Sequence, residues 1–212
     1  MVGMGSKLLR LGVLVSGRGT NLQAILDGSG SGEIPATVEV VVSNRPGVPA
    51  LERAAQKGVS ALCVSHKDYG RWPECKPRYE KRLIEVLREH RVELVVLAGY
   101  DRLAGPDLMS AFPGRIINVH PALLPSFPGL RAQRDALEYG VKVSGATVFF
   151  VDSSVDGGPI IVQEAVPVLE DDTVESLSAR ILEVEHRILR RAITLIAQGR
   201  TQVEGRRVRV IP

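Results

Sequence analysis

Asn118, His120 and Asp156 are the side chains in this sequence whose types and setting invite a chemical reading. Asn118 and His120 lie two apart in Asn118-Val119-His120-Pro121, so on a strand they project from one face. An amide beside an imidazole suits a reaction in which a carbonyl oxygen becomes an oxyanion. Neutral Asn donates a hydrogen bond there, and a cationic His adds charge. A cation at neutral pH needs a carboxylate to hold it. Asp156, in Val155-Asp156-Gly157-Gly158-Pro159, is the candidate, because two glycines and a proline shape a stiff turn that can push it toward the site. Spacing alone does not separate this trio from a surface histidine and a turn aspartate. The proline-rich loop between them favours chemistry.

Upstream, an apolar run ends in Ser16-Gly17-Arg18-Gly19-Thr20-Asn21 and passes into a helical pattern. Strand, glycine-rich turn and helix together aim free backbone N–H groups and a positive dipole end at an anion. Gly17 and Gly19 let the chain bend and approach a ligand with no Cβ in the way. A dinucleotide fingerprint needs a third glycine at position 22, which is Leu22, and an acid where Val42-Ser43-Asn44 stands. NAD and FAD are therefore disfavoured, and a P-loop is excluded because no Gly-Lys-Ser/Thr follows. A monophosphate or phosphoribosyl group fits better. A tight βα turn without a ligand fits the same residues.

The elements that must position these groups alternate. Apolar runs predict strands at 8–15, 37–42, 60–65, 94–97 and 115–119, with helices from Asn21 and over 48–57, 78–90 and 106–112. The short turns between them are those of βαβ units. Residues 120–130, with Pro121, Pro125 and Pro128, read as an ordered loop in which Leu124-Pro125 is a candidate cis peptide. A short helix near 131–139, strands at 146–151 and 160–168, a long helix over 173–198 and a hairpin around Glu204-Gly205 complete the chain. Thr173 starts the long helix, and Asp171, Asp172 and Glu175 at its start with Arg190 and Arg191 toward its end suit the helix dipole. The expected fold is α/β and Rossmann-like: a mostly parallel central sheet flanked by helices, with an elaborated C-terminal half.

Composition limits the function classes. The 212 residues carry 27 Lys+Arg against 24 Asp+Glu, a net charge of +3. From Arg180 onward eight arginines face three glutamates, so that segment carries +5 and residues 1–179 carry −2. The basicity is thus arginine decoration of the last helix and hairpin, expected to lie away from the chemistry, and not a nucleic-acid stripe. With 4 Phe, 4 Tyr and 1 Trp there are few platforms for stacking bases. No apolar run approaches the ~18 residues of a membrane span. Cys63, expected in a core strand, and Cys75, an incidental thiol, lack metal-ligand spacing and fit a reducing, cytoplasmic compartment. His90 is placed at a helix end, and His186 beside Glu185 is read as structural.

Taken together, LVSGRGTNLQAI (14–25), VVLAGYDRLAGPDL (95–108), INVHPALLPSFPGL (117–130) and VDSSVDGGPIIVQEAVPV (151–168) resemble the phosphoribosylglycinamide formyltransferases, folate-dependent enzymes of purine synthesis. The resemblance runs in order along essentially the whole chain. Asn-x-His with a downstream Asp-Gly-Gly-Pro is shared with the wider formyltransferase group. The narrower resemblance rests on Ser-Gly-x-Gly-Thr-Asn-Leu and His-Pro-Ala-Leu-Leu-Pro. It implies that Asn118, His120 and Asp156 are catalytic, that Gly19, Thr20 and Asn21 hold the phosphate of glycinamide ribonucleotide, and that Glu185 meets the ribose or glycinamide end. For 10-formyltetrahydrofolate, the co-substrate, it implies Asp101, Arg102, Leu103 and Ala104, the turn starting at Asp152, Asn118, and a cation at Lys76 or Arg71. No metal is implied. One domain, 1–212, would divide into a mononucleotide-binding half, 1–114, and a catalytic and folate-binding half, 115–212. Partners would be the two small substrates, with no nucleic acid and no membrane, in a monomer or a homodimer.

The chain departs from the pattern in places. Phe149 stands where a histidine is frequent, Arg131 and Gln133 replace histidines, and Asp101 occupies a position that is commonly methionine. The segment 66–78, with Trp72-Pro73, is longer than usual. A 10-formyltetrahydrofolate hydrolase is the alternative, since water can replace the amine with the same trio. Those hydrolases and the tRNA-specific formyltransferases carry an extra domain, for which 212 residues are expected to leave no room.

Overall fold

The computed structural model describes residues 7–212. Its centre is β1 (Leu9–Val15), apolar on both faces because layers cover both. Leu11, Val13 and Val15 point into one core and Leu14 into the other, the alternation a strand imposes. The chain then alternates α1 (Thr20–Gly30), β2 (Ala36–Ser43), α2 (Pro49–Gln56), β3 (Ser60–Cys63), a 3-10 turn at His66–Tyr69, α3 (Lys76–Glu89), β4 (Leu94–Leu97), α4 (Pro106–Ala111) and β5 (Ile116–His120). The second part is α5 (Ala132–Tyr139), β6 (Val143–Phe150), β7 (Ile160–Pro167), α6 (Val174–Ala197), β8 (Thr201–Glu204) and β9 (Arg207–Val210).

All nine strands form one sheet in the order β3-β2-β1-β4-β5-β6-β7-β9-β8. The pairings from β3 through β5 are parallel. β6 is antiparallel to β5 and to β7, so the sheet is parallel through its first five strands and mixed beyond them. The order reverses between β1 and β4, and it is outside the carboxyl ends of strands at such a reversal that open α/β sheets bind ligands.

One face of the sheet is covered by α1, α2 and α6, and the other by α3 and α4. Thr173 caps α6 in a reciprocal box with Ser176, as its position before the long helical pattern predicts. The buried stripe of α6 runs Leu177, Ile181, Val184, Ile188, Leu189, Ala192, Ile193 and Ile196 at helical spacing, and Glu185 lies within it.

The predicted elements are all present, with shifted ends. α1 runs through Gly28 to Gly30, and β6 begins three residues before the predicted position, at Val143. The strand expected over 60–65 ends at Cys63, because Ser65 accepts from Lys67 N–H and starts the 3-10 turn. Cys63 is exposed, contrary to expectation, because β3 is the edge strand; Cys75 is buried beneath the start of α3. Leu124-Pro125 is cis as expected, and Trp72-Pro73 is cis also. His90 caps α3 at its C-terminus.

Candidate active site

Asn118 and His120 stand near the end of β5, between Leu97 of β4 and the strand β6, where Asn118 faces Phe149 and His120 faces Thr147. Asp156 arrives from the β6–β7 turn with its Oδ2 at 3.6 Å from His120 Nδ1. It adopts a φ of +50°, a left-handed conformation that a non-glycine residue holds only when its surroundings enforce it. One restraint is the Gly129 N–H, which donates to Asp156 Oδ2 at 2.8 Å. Another is the close approach of the turn to β6, where a Cβ on Gly158 would collide with the backbone carbonyl of Phe150.

His120 is 4% exposed. Its Nε2 lies 2.8 Å from the Phe127 carbonyl, which can only accept, so Nε2 carries a proton. In the neutral ring Nδ1 would then turn a lone pair toward the Asp156 carboxylate. A protonated Nδ1 would instead meet that carboxylate as a donor.

The loop that brings Phe127 and Gly129 to the site is pinned by residues that the sequence reading did not single out. Thr147 is fully buried, and its hydroxyl donates to Ala122 O at 2.7 Å. It accepts from Leu124 N–H at 3.1 Å and from Gln163 Nε2 at 2.9 Å. Gln163 Nε2 also donates to Leu124 O at 2.8 Å. The signal for both residues is a polar side chain in a strand, and their partners exist only once β5, β6 and β7 are paired.

At the glycine-rich turn, Gly19 caps α1 in the left-handed region with φ +73°, and no side chain caps the helix. The first N–H groups of α1, from Thr20 and Asn21, therefore have no intrahelical partner. A Cβ on Gly19 would lie 2.7 Å from Ala50 Cβ, whereas one on Gly17 would meet nothing within 4 Å. Asn21 Nδ2 donates to Glu185 Oε2 at 2.8 Å, joining α1 to α6, and Asn21 Oδ1 is buried without a partner among the described residues. Burial pushes the Glu185 carboxyl up to about 7, against the opposing effect of the Asn21 hydrogen bond.

The 101–104 segment follows β4. The Asp101 carboxylate turns toward the glycine-rich turn, accepting from Ser16 and Asn44 and pairing with Arg45. Arg102 stacks on Trp72 with its guanidinium carbon 4.8 Å from the ring centroid, and donates to His66 Nε2 at 3.3 Å. Burial, with the Arg102 charge beside it, pulls the His66 pKa down and keeps that nitrogen an acceptor. Lys76 Nζ lies 5.9 Å from the same indole, so Trp72 brings two cations together. Leu103 is more than half exposed, and Ala104 packs against the α3 side of the core. Behind this segment Glu80 accepts from the Gly105 and Leu108 N–H groups and fixes the start of α4. Asp152 Oδ1 accepts from Ser154 N–H at 2.9 Å and from the Ser154 hydroxyl, closing its own turn. Contrary to the expectation from charge counting, the C-terminal arginines are not all remote from the trio: Arg206 donates to Gly157 O at 2.8 Å, beside Asp156. Among the described residues no group of His, Cys, Asp and Glu could hold a metal ion, and no helix is long and apolar enough to cross a membrane.

An amide and an imidazole near the end of a strand in a Rossmann-like sheet, with a carboxylate beside the imidazole, are the arrangement of a group-transfer enzyme. Residues 9–193 match the formyl transferase family, and the chain belongs to it. It is 38% identical to the phosphoribosylglycinamide formyltransferase of Escherichia coli over 191 residues, which is 90% of this chain and 88% of that protein. It is also 45% identical over 192 residues to the trifunctional purine biosynthetic protein adenosine-3 of Drosophila melanogaster, covering 90% of this chain but only 14% of that much longer protein. In three dimensions it is similar to the glycinamide ribonucleotide transformylase 1 of Symbiobacterium toebii, with a TM-score of 0.94, 54% identity and coverage of 97% of this chain and 95% of that one.

Proposed function

We propose that the protein transfers the formyl group of 10-formyltetrahydrofolate to the amine of glycinamide ribonucleotide, a step of purine biosynthesis. The observation that carries this reading is the ion-pair approach of Asp156 to His120, with Asn118 on the same strand, in a chain of the formyl transferase family. In the reaction the substrate amine bonds to the formyl carbon, its carbonyl oxygen becomes an oxyanion, and the bond from that carbon to N10 of the folate breaks. The amine gives up a proton and N10 gains one. Asn118 donates a hydrogen bond to the oxyanion, and cationic His120 supplies charge. The Nε2 proton, which Phe127 O accepts here, is the one offered to the oxyanion or to the leaving nitrogen. Asp156 holds the charge on His120.

Gly19, Thr20 and Asn21 receive the ribonucleotide phosphate, a role supported by the uncapped start of α1. Glu185 faces the ribose or glycinamide end, and its contact with Asn21 ties that end to the phosphate site. The folate lies along 101–104 and the Asp152 turn, with Arg102 and Lys76 over Trp72 suited to the carboxylates of its glutamate tail. The continuous sheet supports one working unit, with 1–114 as the nucleotide half and 115–212 as the catalytic half. The free thiols of Cys63 and Cys75 support a cytoplasmic location.

Purified protein with both substrates should yield formylglycinamide ribonucleotide and tetrahydrofolate in equal amounts. Formate release at the same rate when the ribonucleotide is omitted would establish the hydrolase instead.

A further inference from the structure

Asp101 stands just past β4, where the strand order of the sheet reverses. Its Oδ1 accepts from Ser16 Oγ at 3.0 Å and from Asn44 Nδ2 at 2.7 Å, and Oδ2 pairs with Arg45. Its own N–H donates back to Ser16 Oγ at 3.0 Å, and Ser16 N–H donates to Gly99 O at 3.0 Å. On its other side Arg102 Nε lies 3.8 Å from Oδ1. Burial opposes the charge, but the hydrogen bonds from Asn44 and Ser16 and the two arginines outweigh it and hold the carboxyl below its usual range.

These partners leave three different strands. Ser16 follows β1 and opens the glycine-rich turn, Asn44 and Arg45 follow β2, and Asp101 and Arg102 begin the 101–104 segment. Ser16 and Asn44 are buried, so without the carboxylate their polar groups lose partners that water would not easily replace. Asn118 and His120 stand on β5 and Asp156 in the turn 151–159, and among the described residues no hydrogen bond or ion pair of the Asp101 carboxylate reaches them.

We propose that Asp101 is a positioning residue that fastens the ribonucleotide turn to the folate segment, so that one carboxylate sets the affinity for both substrates. The proposal rests on the formyl-transfer reading for its two ligands. It places the effect in binding and leaves the chemical step largely intact.

The test compares wild type with Asp101→Ala, Asp101→Asn, Ser16→Ala and the double Ala variant. Each substrate is varied in steady-state kinetics, and glycinamide ribonucleotide is titrated calorimetrically onto the same proteins. Loss of charge-assisted hydrogen bonds should raise both KM values about tenfold in Asp101→Ala, with kcat within about threefold. Asp101→Asn, which keeps an oxygen toward Ser16, should fall between wild type and Ala. The double variant should bind ribonucleotide no worse than Asp101→Ala alone, because both changes cut one linkage. Unchanged KM values, a rise for one substrate only, a loss confined to kcat, or additive losses in the double variant would each overturn the proposal. If wild type transfers no formyl group, the formyl-transfer reading fails. The titrations of wild type, Asp101→Asn and Ser16→Ala then still decide whether Asp101 shapes the ribonucleotide turn.

Discussion

The Phe127 carbonyl and the Asp156 carboxylate take opposite edges of one buried imidazole, and this fixes the orientation of the ring. His120→Asn keeps polarity and removes the cation, so turnover should fall by about 10³-fold while ribonucleotide affinity stays within about threefold. Turnover within about tenfold of wild type, measured beside a calorimetric titration, would remove His120 from the chemistry. Glu185 makes a second prediction at this scale. Its folded carboxyl is raised to about 7 by burial, above the ordinary value of an unfolded glutamate. Below that ordinary value both states are protonated and the group costs nothing. As pH rises toward 7 the unfolded chain ionises first, so stability declines through that window, by on the order of 3 kcal/mol at its upper end. Glu185→Gln should flatten the pH dependence of Tm between about pH 4.5 and 7 and raise Tm at pH 8 relative to wild type. Parallel Tm–pH curves for the two proteins would place the raised carboxyl elsewhere. Asn118, His120 and Asp156 were legible because each sits in a local motif, whereas Glu185 came only from the family resemblance. The partners of Asp101 were not legible, since Ser16, Asn44 and Asp101 become neighbours only through the strand order β2-β1-β4.

Elements decide which glycine of the Ser-Gly-Arg-Gly turn belongs to the fold and which to a ligand. Gly19 is demanded by the protein itself, because its φ is left-handed and α2 packs against it through Ala50. Gly17 has no such demand, since an added Cβ would meet nothing within 4 Å and its φ lies outside the left-handed range. The two positions therefore separate by measurement. Gly19→Ala should lose roughly 2 kcal/mol or more of stability in urea unfolding, from backbone strain and the clash with Ala50. Gly17→Ala should unfold within about 0.5 kcal/mol of wild type, yet bind glycinamide ribonucleotide about tenfold more weakly if the ligand approaches the backbone there. Equal ribonucleotide affinity in Gly17→Ala would remove Gly17 from the binding surface and leave the phosphate to the start of α1. The sequence pattern placed this turn between β1 and α1 correctly, but it treated the two glycines alike. Only the packing of α2 distinguishes them.

Across the whole molecule, the C-terminal end of the sheet reaches the turn that carries Asp156. β9 joins β7 at a single register pair, Ile160 with Arg207, and the neighbouring Arg206 reaches across to Gly157 O. That carbonyl follows directly on Asp156, whose left-handed backbone must be held against its own preference. The family match ends at residue 193, so the hairpin lies beyond the matched region and still touches the turn that carries Asp156. The eight arginines from position 180 onward therefore do not form a uniform decoration. Arg180, Arg187 and Arg190 pair with Asp172, Glu164 and Glu33, whereas Arg206 holds a backbone carbonyl. Arg206→Ala removes one charge-assisted hydrogen bond between exposed groups, a change of about 1 kcal/mol that falls mainly on the order of the turn. We expect kcat to fall about three- to fivefold, with ribonucleotide affinity unchanged and Tm within about 2 °C of wild type. Arg206→Lys, which can still donate but as a single point, should lie between the two. A variant with unaltered kcat would show that the loops 121–130 and 151–159 hold Asp156 without help from the hairpin. A loss of Tm together with kcat would instead make Arg206 a general support of the sheet's end.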